Sequence, residues 1–457
     1  MNILIAITAV GVLAMLSEIL NFRKYLYPLT LLVLLVALGL TGMEWSGGVR
    51  YFNDMLYMDN FAVVFSGIMV FTTLLWFMMN EGFLIGNPRQ ADFTAIISFA
   101  LGGALVMAGF SNLIMLFLGV EILSISMYVL AASNKSEPRS NEAGFKYFLM
   151  GAFASGFLLF GIALVYGFTA QFSLSEIAKV VTENKGQLPP IFYGGVLMIM
   201  VGLAFKVAAA PFHFWAPDVY EGAPTPFTAF MSTVVKTAAF AAFLRLFDVC
   251  FADVSSWWSP VLAVLAALTL LVGSIMALRQ TSFKRLLAWS GVANAGYMLM
   301  AIVAMNEYSD TALAMYAAAY SIASIGVFTL VSNMTNEGNE QISSLHGFSS
   351  NNKFPALVIT VLLFSIAGIP PLAGFFGKYS IFAGTLQSGY GWLAVVAVLS
   401  SIMSVFYYLK VIVAMYQPAG REAVQLQFSP GQSLVLGLVL VLIVVLGIAP
   451  SLLTGLL

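Results

Sequence analysis

Residues 201–215 read VGLAFKVAAAPFHFW. Lys206 stands inside an apolar run, and Pro211 follows five residues later. A charge at the centre of a bilayer costs at least about 2.5–3.5 kcal/mol on insertion scales. A proline inside a helix removes a backbone donor and clashes with the preceding turn. Irregular backbone at membrane depth is tolerated only where protein buries it or where it lines a wet cavity. The stretch therefore predicts a membrane-spanning helix interrupted beside a buried cation, in a protein whose interior has a use for both.

The rest of the chain agrees that lipid is its solvent. Its 457 residues are 61% hydrophobic and 9% charged, whereas a soluble domain carries roughly 25% charged residues. The net charge of −1 argues against nucleic acid as a partner, which needs a basic excess. A single cysteine, Cys250, excludes an internal disulfide and a thiolate cluster. Two histidines, His213 and His346, are too few for a histidine metal or haem site without other ligands. Arg23 and Lys24 come after the first apolar run rather than before it, so that run reads as a first span and not as a cleaved signal.

A spanning helix needs roughly 20 mostly apolar residues. Such runs lie near 2–20, 26–42, 60–79, 91–109, 111–132, 143–168, 190–210, 225–247, 259–279, 284–304, 310–333, 354–384, 391–416 and 431–456. The expected fold is all-α, with about fourteen transmembrane helices. Leu174–Val181 is too short to span and reads as an interfacial helix. The odd-numbered loops hold Arg23, Lys24, Arg89, Lys135, Arg139, Lys146, Arg279, Lys284, Arg285, Lys353 and Arg421, against Arg50, Lys179, Lys185 and Arg245 at the even-numbered ones. That bias puts the odd loops in the cytoplasm and both termini outside it. On this count Lys284 and Arg285 are positive-inside charges.

The remaining cations lie within spans: Lys206, Lys236, Lys378 and Lys410. Glu121 joins them in span 5. A lysine can snorkel to the interface, which fits Lys410 best; the shorter Glu121 cannot. Burial lowers a lysine's pKa and raises a glutamate's, and an opposite charge does the reverse. A buried lysine beside a movable carboxylate is thus a switchable proton site. Span 12 is interrupted as span 7 is, by Pro370-Pro371 in the Gly-rich stretch before Lys378. Interrupted spans in corresponding positions of two halves point to repeats around an ion site. Spans 7 and 12, 5 and 10, and 8 and 13 are each five apart, and an odd offset forces opposite topology. Spans 4–8 and 9–13 are therefore expected to be inverted five-helix repeats. The division becomes 1–90 for spans 1–3, 91–247 for the first repeat, 259–416 for the second and 431–456 for span 14.

Four stretches carry a family resemblance: FLGVEILSISMYVL (117–130), GLAFKVAAAPFHFWAPDVYEGAPTPFTAF (202–230), ALRQTSFKRLLAWSGVANAGY (277–297) and AGIPPLAGFFGKY (367–379). In this order they resemble the antiporter-like subunits of proton-pumping NADH:quinone oxidoreductase, respiratory complex I. The relatives in that group usually read PxHxWLPxAHxxAP after the span-7 lysine. PFHFWAPDVYEGAP here, with Asp218-Val219-Tyr220, favours the subunit N branch over the L and M branches and the cation/proton antiporter subunits. The resemblance implies that Glu121 and Lys206 are partners in spans 5 and 7, that Lys236 is the central lysine of span 8, and that Lys378 stands at the exit side in span 12. It implies no role for Lys410.

His213 is a candidate relay toward Lys206 or Lys236, or a packed histidine at a helix break. Ser124 and Ser126 read as hydroxyls bonded to helix backbone or water. Tyr128, Tyr147, Tyr297 and Tyr320 line a hydrated path or pack in the core. No glycine fingerprint on a βαβ unit and no cysteine set for iron–sulfur clusters occurs. The expectation is a translocase subunit without cofactors of its own. NADH, FMN, iron–sulfur clusters and quinone would sit on partner chains of a bacterial inner membrane, and the L/M-type and small hydrophobic subunits would be its neighbours. Two other readings stay open: a subunit of a cation/proton antiporter or membrane-bound hydrogenase with the same fold, and a structural anchor with inert charges.

Overall fold

The computed structural model describes residues 1–45, 47–336, 338–418 and 426–457, so Arg421 lies outside the described residues. The described chain is α-helical apart from one small antiparallel hairpin, Val49–Tyr51 with Leu56–Met58, which the apolar pattern did not announce. Ten helical runs among the described residues are long and apolar enough to cross a membrane. Asn2–Leu16, Pro190–Lys206 and Lys353–Ala367 are shorter apolar helices. One of the ten, Thr225–Leu278, has 54 residues. At 1.5 Å per residue it would run roughly 80 Å, far beyond a hydrocarbon core of about 30 Å. It is interrupted by the short 3₁₀ turn Ala252–Val254, between the runs expected at 225–247 and 259–279.

The two proline-marked runs are broken. Helix Pro190–Lys206 ends on the lysine itself, short of residue 210. The run expected at 354–384 is two helices, Lys353–Ala367 and Ala373–Gln387. Each break contains a residue at positive φ, Ala208 or Gly368, and a cis prolyl bond, Ala210-Pro211 or Pro370-Pro371. At each break the backbone turns out of the helix, which is why hydrophobicity alone overran both boundaries. The first helix stops at Leu16 rather than 20, and the last long one at Ile448 with a short turn Ser451–Thr454 after it. Leu174–Glu183 is a helix with Leu174, Ile177 and Val181 buried on one face, as an amphipathic surface helix requires.

Phe283–Ala304 and Ser309–Asn336 are wholly buried over their apolar windows and form the centre of the bundle. Other helices approach one another closely through small residues, the means by which helices pack in lipid. A Cβ on Gly161 would lie 2.7 Å from the carbonyl oxygen of Gly195, and one on Gly195 would lie 3.0 Å from that of Gly161. This pins Pro138–Thr169 against Pro190–Lys206.

Two contacts of the same design recur in different parts of the chain. Leu113 N–H donates to Phe172 O at 2.9 Å and Leu174 N–H to Ser111 O at 3.0 Å. Phe283 N–H donates to Glu340 O at 2.7 Å and Ile342 N–H to Thr281 O at 2.9 Å. In each case the residue that caps a long helix, Asn112 or Ser282, bridges a loop that starts a short helical turn.

Side-chain contacts gather the basic loops at one end. Arg23 donates to Asn87 O and Arg89 to Ser133 O. Lys146 pairs with Asp218 at 2.9 Å, and Arg285 pairs with Glu221 and with Asp218. Lys284 does more than bias the loops. It is buried, and its Nζ donates to Ala223 O at 2.7 Å and Glu221 O at 3.0 Å, with Glu340 at 3.8 Å. An ammonium here satisfies carbonyls that the short helix Trp215–Gly222 leaves unpaired at its C-terminus. At the opposite end Arg245 is buried and holds both carboxylate oxygens of Asp59, at 3.0 and 2.9 Å, and the carbonyl of Phe110 at 2.9 Å.

Two outcomes follow from this packing. Gly161→Leu should lower stability by about 1–3 kcal/mol, read as a drop in the melting temperature of the purified protein with Gly156→Leu as control, since nothing lies within 4 Å of a Cβ on Gly156. Lys284→Ala should cost about 1–3 kcal/mol by orphaning two buried carbonyls, and unchanged thermal unfolding would show that water replaces the ammonium there.

Candidate functional site

Lys206 ends its helix, 6% exposed. Its Nζ donates to Ser124 Oγ at 2.7 Å and lies 6.0 Å from the centre of the Tyr147 ring. Two side chains tie down the break beside it. Trp215 Nε1 donates to Phe205 O at 3.0 Å, and Ala210 N–H donates to Thr269 Oγ1 at 2.9 Å. Trp215 also stacks on Tyr147, ring centres 4.5 Å apart, so the segment after the break folds back to wall in the lysine.

Glu121 and Lys206 form no direct ion pair. Glu121 is half-buried and accepts from Ser155 Oγ. It lies beside Leu118, Ile125 and Val129, which are about half exposed, so it stands at the rim of the bundle. Ser124, one turn along the same helix, is the group that meets Lys206. Its hydroxyl donates to Val120 O and receives Lys206. The expected backbone bond is present, and the more important contact is the one the spacing could not show. Ser126 donates to Ile122 O. Tyr128 meets Tyr147 edge to face at 4.8 Å.

Lys236 is 3% exposed and follows a π-helical turn, Met231–Val235, a local irregularity frequent at functional sites. Its Nζ donates to Gly291 O on helix Phe283–Ala304 and lies 5.9 Å from the Tyr320 ring centre. Lys378 is equally buried. Its Nζ donates to Ala367 O at 2.8 Å and Ser401 Oγ at 3.3 Å, and sits 4.5 Å from the Tyr297 ring centre. Ala367 is the last residue of the preceding half-helix. A Cβ on Gly368 would lie 2.9 Å from Lys378 Cδ, so only a glycine leaves the stem room to reach that carbonyl. Lys410, by contrast, is exposed and donates to Gln280 O at 2.8 Å.

His213 is buried, with its ring 5.5 Å from Trp289. Neither His213 Nδ1 nor Trp289 Nε1 has a hydrogen-bond partner in the protein. No hydrogen bond among the described residues joins His213 to Lys206 or Lys236; it stands instead beside the segment whose Gly291 holds Lys236.

Between Lys236 and Lys378 lies a polar cluster of which the sequence reading singled out only Tyr297. Asn294 Oδ1 accepts from Tyr316 OH at 2.6 Å, and its Nδ2 donates to Ser290 O at 2.8 Å. Ser290 Oγ and Tyr408 OH are hydrogen-bonded, and Tyr297 OH donates to Ser400 Oγ at 3.1 Å. The available signal was an asparagine in mid-span, one helical turn from Ser290 and from Tyr297. Among the described residues no group of three His, Cys, Asp or Glu side chains is placed to hold a metal.

Residues 111–404 match the family described as NADH:quinone oxidoreductase/Mrp antiporter, TM. That interval holds Glu121, Lys206, Lys236 and Lys378, and ends just before Tyr408. The chain is 41% identical over 458 residues to NADH-quinone oxidoreductase subunit N of Cytophaga hutchinsonii, covering 99% of this chain and 98% of that relative. A chain in respiratory complex I from Thermus thermophilus with bound aureothin matches with a TM-score of 0.85 at 31% identity, over 99% of this chain and 98% of that one. A chain of the Mrp complex from Dietzia sp. matches with a TM-score of 0.88 at 20% identity, over 99% and 95%, a likeness of fold alone. With identity of this level along its whole length, and with its buried charges inside the matched interval, the chain belongs to the NADH-quinone oxidoreductase subunit N family.

Proposed function

We propose that this chain translocates protons as a membrane-arm subunit of an NADH:quinone oxidoreductase, through Glu121, Lys206, Lys236 and Lys378. The observation that carries the reading is the set of three buried lysines held by uncharged oxygens, with no carboxylate paired to any of them. Burial disfavours an ammonium and carbonyl or hydroxyl oxygens favour it, so a small change in either moves a proton without breaking a strong ion pair. Glu121 at the rim is the group a neighbouring subunit can reach. Next to it, helix Pro138–Thr169 exposes Phe145, Phe148, Phe153, Phe157 and Phe160, an apolar face suited to a membrane partner. A shift at Glu121 would act on Lys206 through Ser124 rather than by direct pairing. The Lys206 proton would then move toward Lys236 and Lys378, with His213 a relay candidate, and leave on the far side. NADH oxidation and quinone reduction, with FMN and iron–sulfur clusters, would belong to partner chains.

The same reading takes the bundle as about fourteen spans with two inverted five-helix repeats, 91–247 and 259–416, between spans 1–3 in 1–90 and span 14 in 431–456. Three features support it. Both breaks carry a positive-φ residue and a proline. Gln90–Gly109 packs on Leu113–Ala131 as Ser255–Leu278 packs on Phe283–Ala304. The paired backbone contacts at Asn112 and Ser282 lie at opposite ends of the bundle, one beside Arg245 and the other beside Lys284. The basic end would face the cytoplasm of a bacterial inner membrane, with both termini outside. L/M-type and small hydrophobic subunits would be the neighbours.

Lys206→Ala in the whole complex should abolish most NADH-linked acidification of inverted membrane vesicles while the complex still assembles, and Lys236→Ala should do the same. Normal acidification by both would remove the lysines from the route. Sodium-dependent proton exchange without flavin or iron–sulfur partners would point instead to an antiporter subunit.

A further inference from the structure

The contact between the Lys236 and Lys378 sites runs along one helix. Phe283–Ala304 presents Ser290, Gly291, Asn294 and Tyr297 at spacings of three and four residues, which puts them on one stripe. Gly291 O holds Lys236, and the Tyr297 ring lies under Lys378. Tyr316 and Tyr320, one turn apart on Ser309–Asn336, face the same stripe. A Cβ on Gly291 would meet both Lys236 Nζ, at 3.2 Å, and Tyr320 OH, at 3.3 Å. Tyr408 closes the stripe from Gly391–Tyr416, its hydroxyl bonded to Ser290 Oγ and 3.5 Å from Asn294 Nδ2. Every one of these side chains except the two lysines is neutral, and all are buried.

The orientation of the Asn294 amide is fixed by its neighbours. Ser290 O is a carbonyl and can only accept, so the amide atom 2.8 Å from it must be Nδ2. Oδ1 therefore faces Tyr316, and the Tyr316 hydroxyl must donate to it. Hydrogen bonds thus run without a gap from Tyr408 through Asn294 to Tyr316. As a proton path the line is broken. A hydroxyl can take a proton on one lone pair and release its own on the other side. A neutral carboxamide cannot accept at oxygen and release from nitrogen without passing through a costly tautomer.

We propose that Asn294 is an insulating latch between the two lysine sites, a positioning residue that holds the Tyr316 and Tyr408 hydroxyls apart as a proton wire while joining them as a hydrogen-bonded structure. The latch gives the fold a way to keep the Lys236 and Lys378 protons from equilibrating freely. It is mechanically tied to the second broken helix. A Cβ on Gly377, next to Lys378, would lie 2.9 Å from Tyr316 Cα, so the half-helix Ala373–Gln387 rests on the backbone that carries the Tyr316 hydroxyl. Movement of that half-helix draws Tyr316 away from Oδ1 and lets water enter between the hydroxyls. One proton then leaves the Lys236 ammonium, which becomes an amine, and one arrives at a Lys378 amine, which becomes an ammonium.

This inference rests on the reading of the lysines as proton sites, and the test separates the two. The assay is the whole complex in inverted vesicles, with NADH oxidation and the pH gradient followed together. Asn294→Asp keeps the shape but lets either oxygen accept and release a proton. It should oxidise NADH with a loss of gradient per NADH consumed. Adding Tyr316→Phe, which removes the hydroxyl the shortcut needs, should restore the gradient per NADH; damage to packing would not be rescued this way. Asn294→Leu, which fills the space and carries no proton, should not reproduce the slip of the aspartate. Should Asn294→Asp fail to assemble, Asn294→Ser takes its place, since a hydroxyl can also accept and donate. Full coupling in the aspartate or serine variant, or equal slip with leucine, overturns the latch. If Lys236→Ala alone leaves the gradient intact, the lysine reading itself fails.

Discussion

An ammonium buried at membrane depth must find oxygen atoms, and in this chain hydroxyls, carbonyls and helix ends supply them. Lys206 is the last residue of a half-helix. Lys378 reaches back to Ala367 O, the final carbonyl of the half-helix before it. Lys284 takes the carbonyls at the end of Trp215–Gly222. The C-terminal end of a helix carries unpaired carbonyls and the negative end of its dipole, so the ends at Ala367 and Gly222 each suit a cation. The two lysines of the broken spans are not in equivalent places, since one precedes its break and the other follows it. Lys378 takes the terminal carbonyl at its break, whereas Lys206 takes the hydroxyl of Ser124 on another helix.

This arrangement explains why the strong ion pairs lie elsewhere. Arg245 with Asp59, Arg285 with Glu221 and Asp218, and Lys146 with Asp218 are all at the ends of the bundle. There they tie loops and helix ends together, with water near at hand. In the interior a directly paired carboxylate would hold a lysine's proton firmly. Serine hydroxyls and carbonyl oxygens hold it less rigidly, and Ser124, which receives Lys206, stands one turn from the rim carboxylate Glu121 on the same helix. The central helices Phe283–Ala304 and Ser309–Asn336 can carry asparagine and tyrosine in quantity because every face of them is covered by protein. Their polar groups find one another there instead of lipid.

The sequence by itself determined the solvent, the class of fold and the unusual charges. A 9% charge content, the spacing of apolar runs, the lysines inside them and the prolines beside two of them are all local facts, and local chemistry suffices to interpret them. The motif stretches likewise carried the family, because identity of side chains in order needs no coordinates. Helix ends were less legible. Hydropathy ran on to 210 and 384, since alanine and glycine at a break are as apolar as those within a helix, whereas the backbone leaves the helix at Lys206 and Ala367.

What touches what was decided only by tertiary structure. Glu121 and Lys206 look like a pair when each is read as the one charge in its span, yet a side chain from a third helix, Ser155, holds the glutamate and Ser124 holds the lysine. Lys284 reads as a loop charge by its position, but the fold buries it over the end of another helix. Asn294, Tyr316 and Tyr408 come from three separate helices, and nothing in the spacing of any one of them announces the other two. Hydrogen bonds reach about 3 Å, whereas a position along a span fixes depth but not which neighbour faces it. Depth was therefore written in the sequence, and partnership was set by how the helices pack.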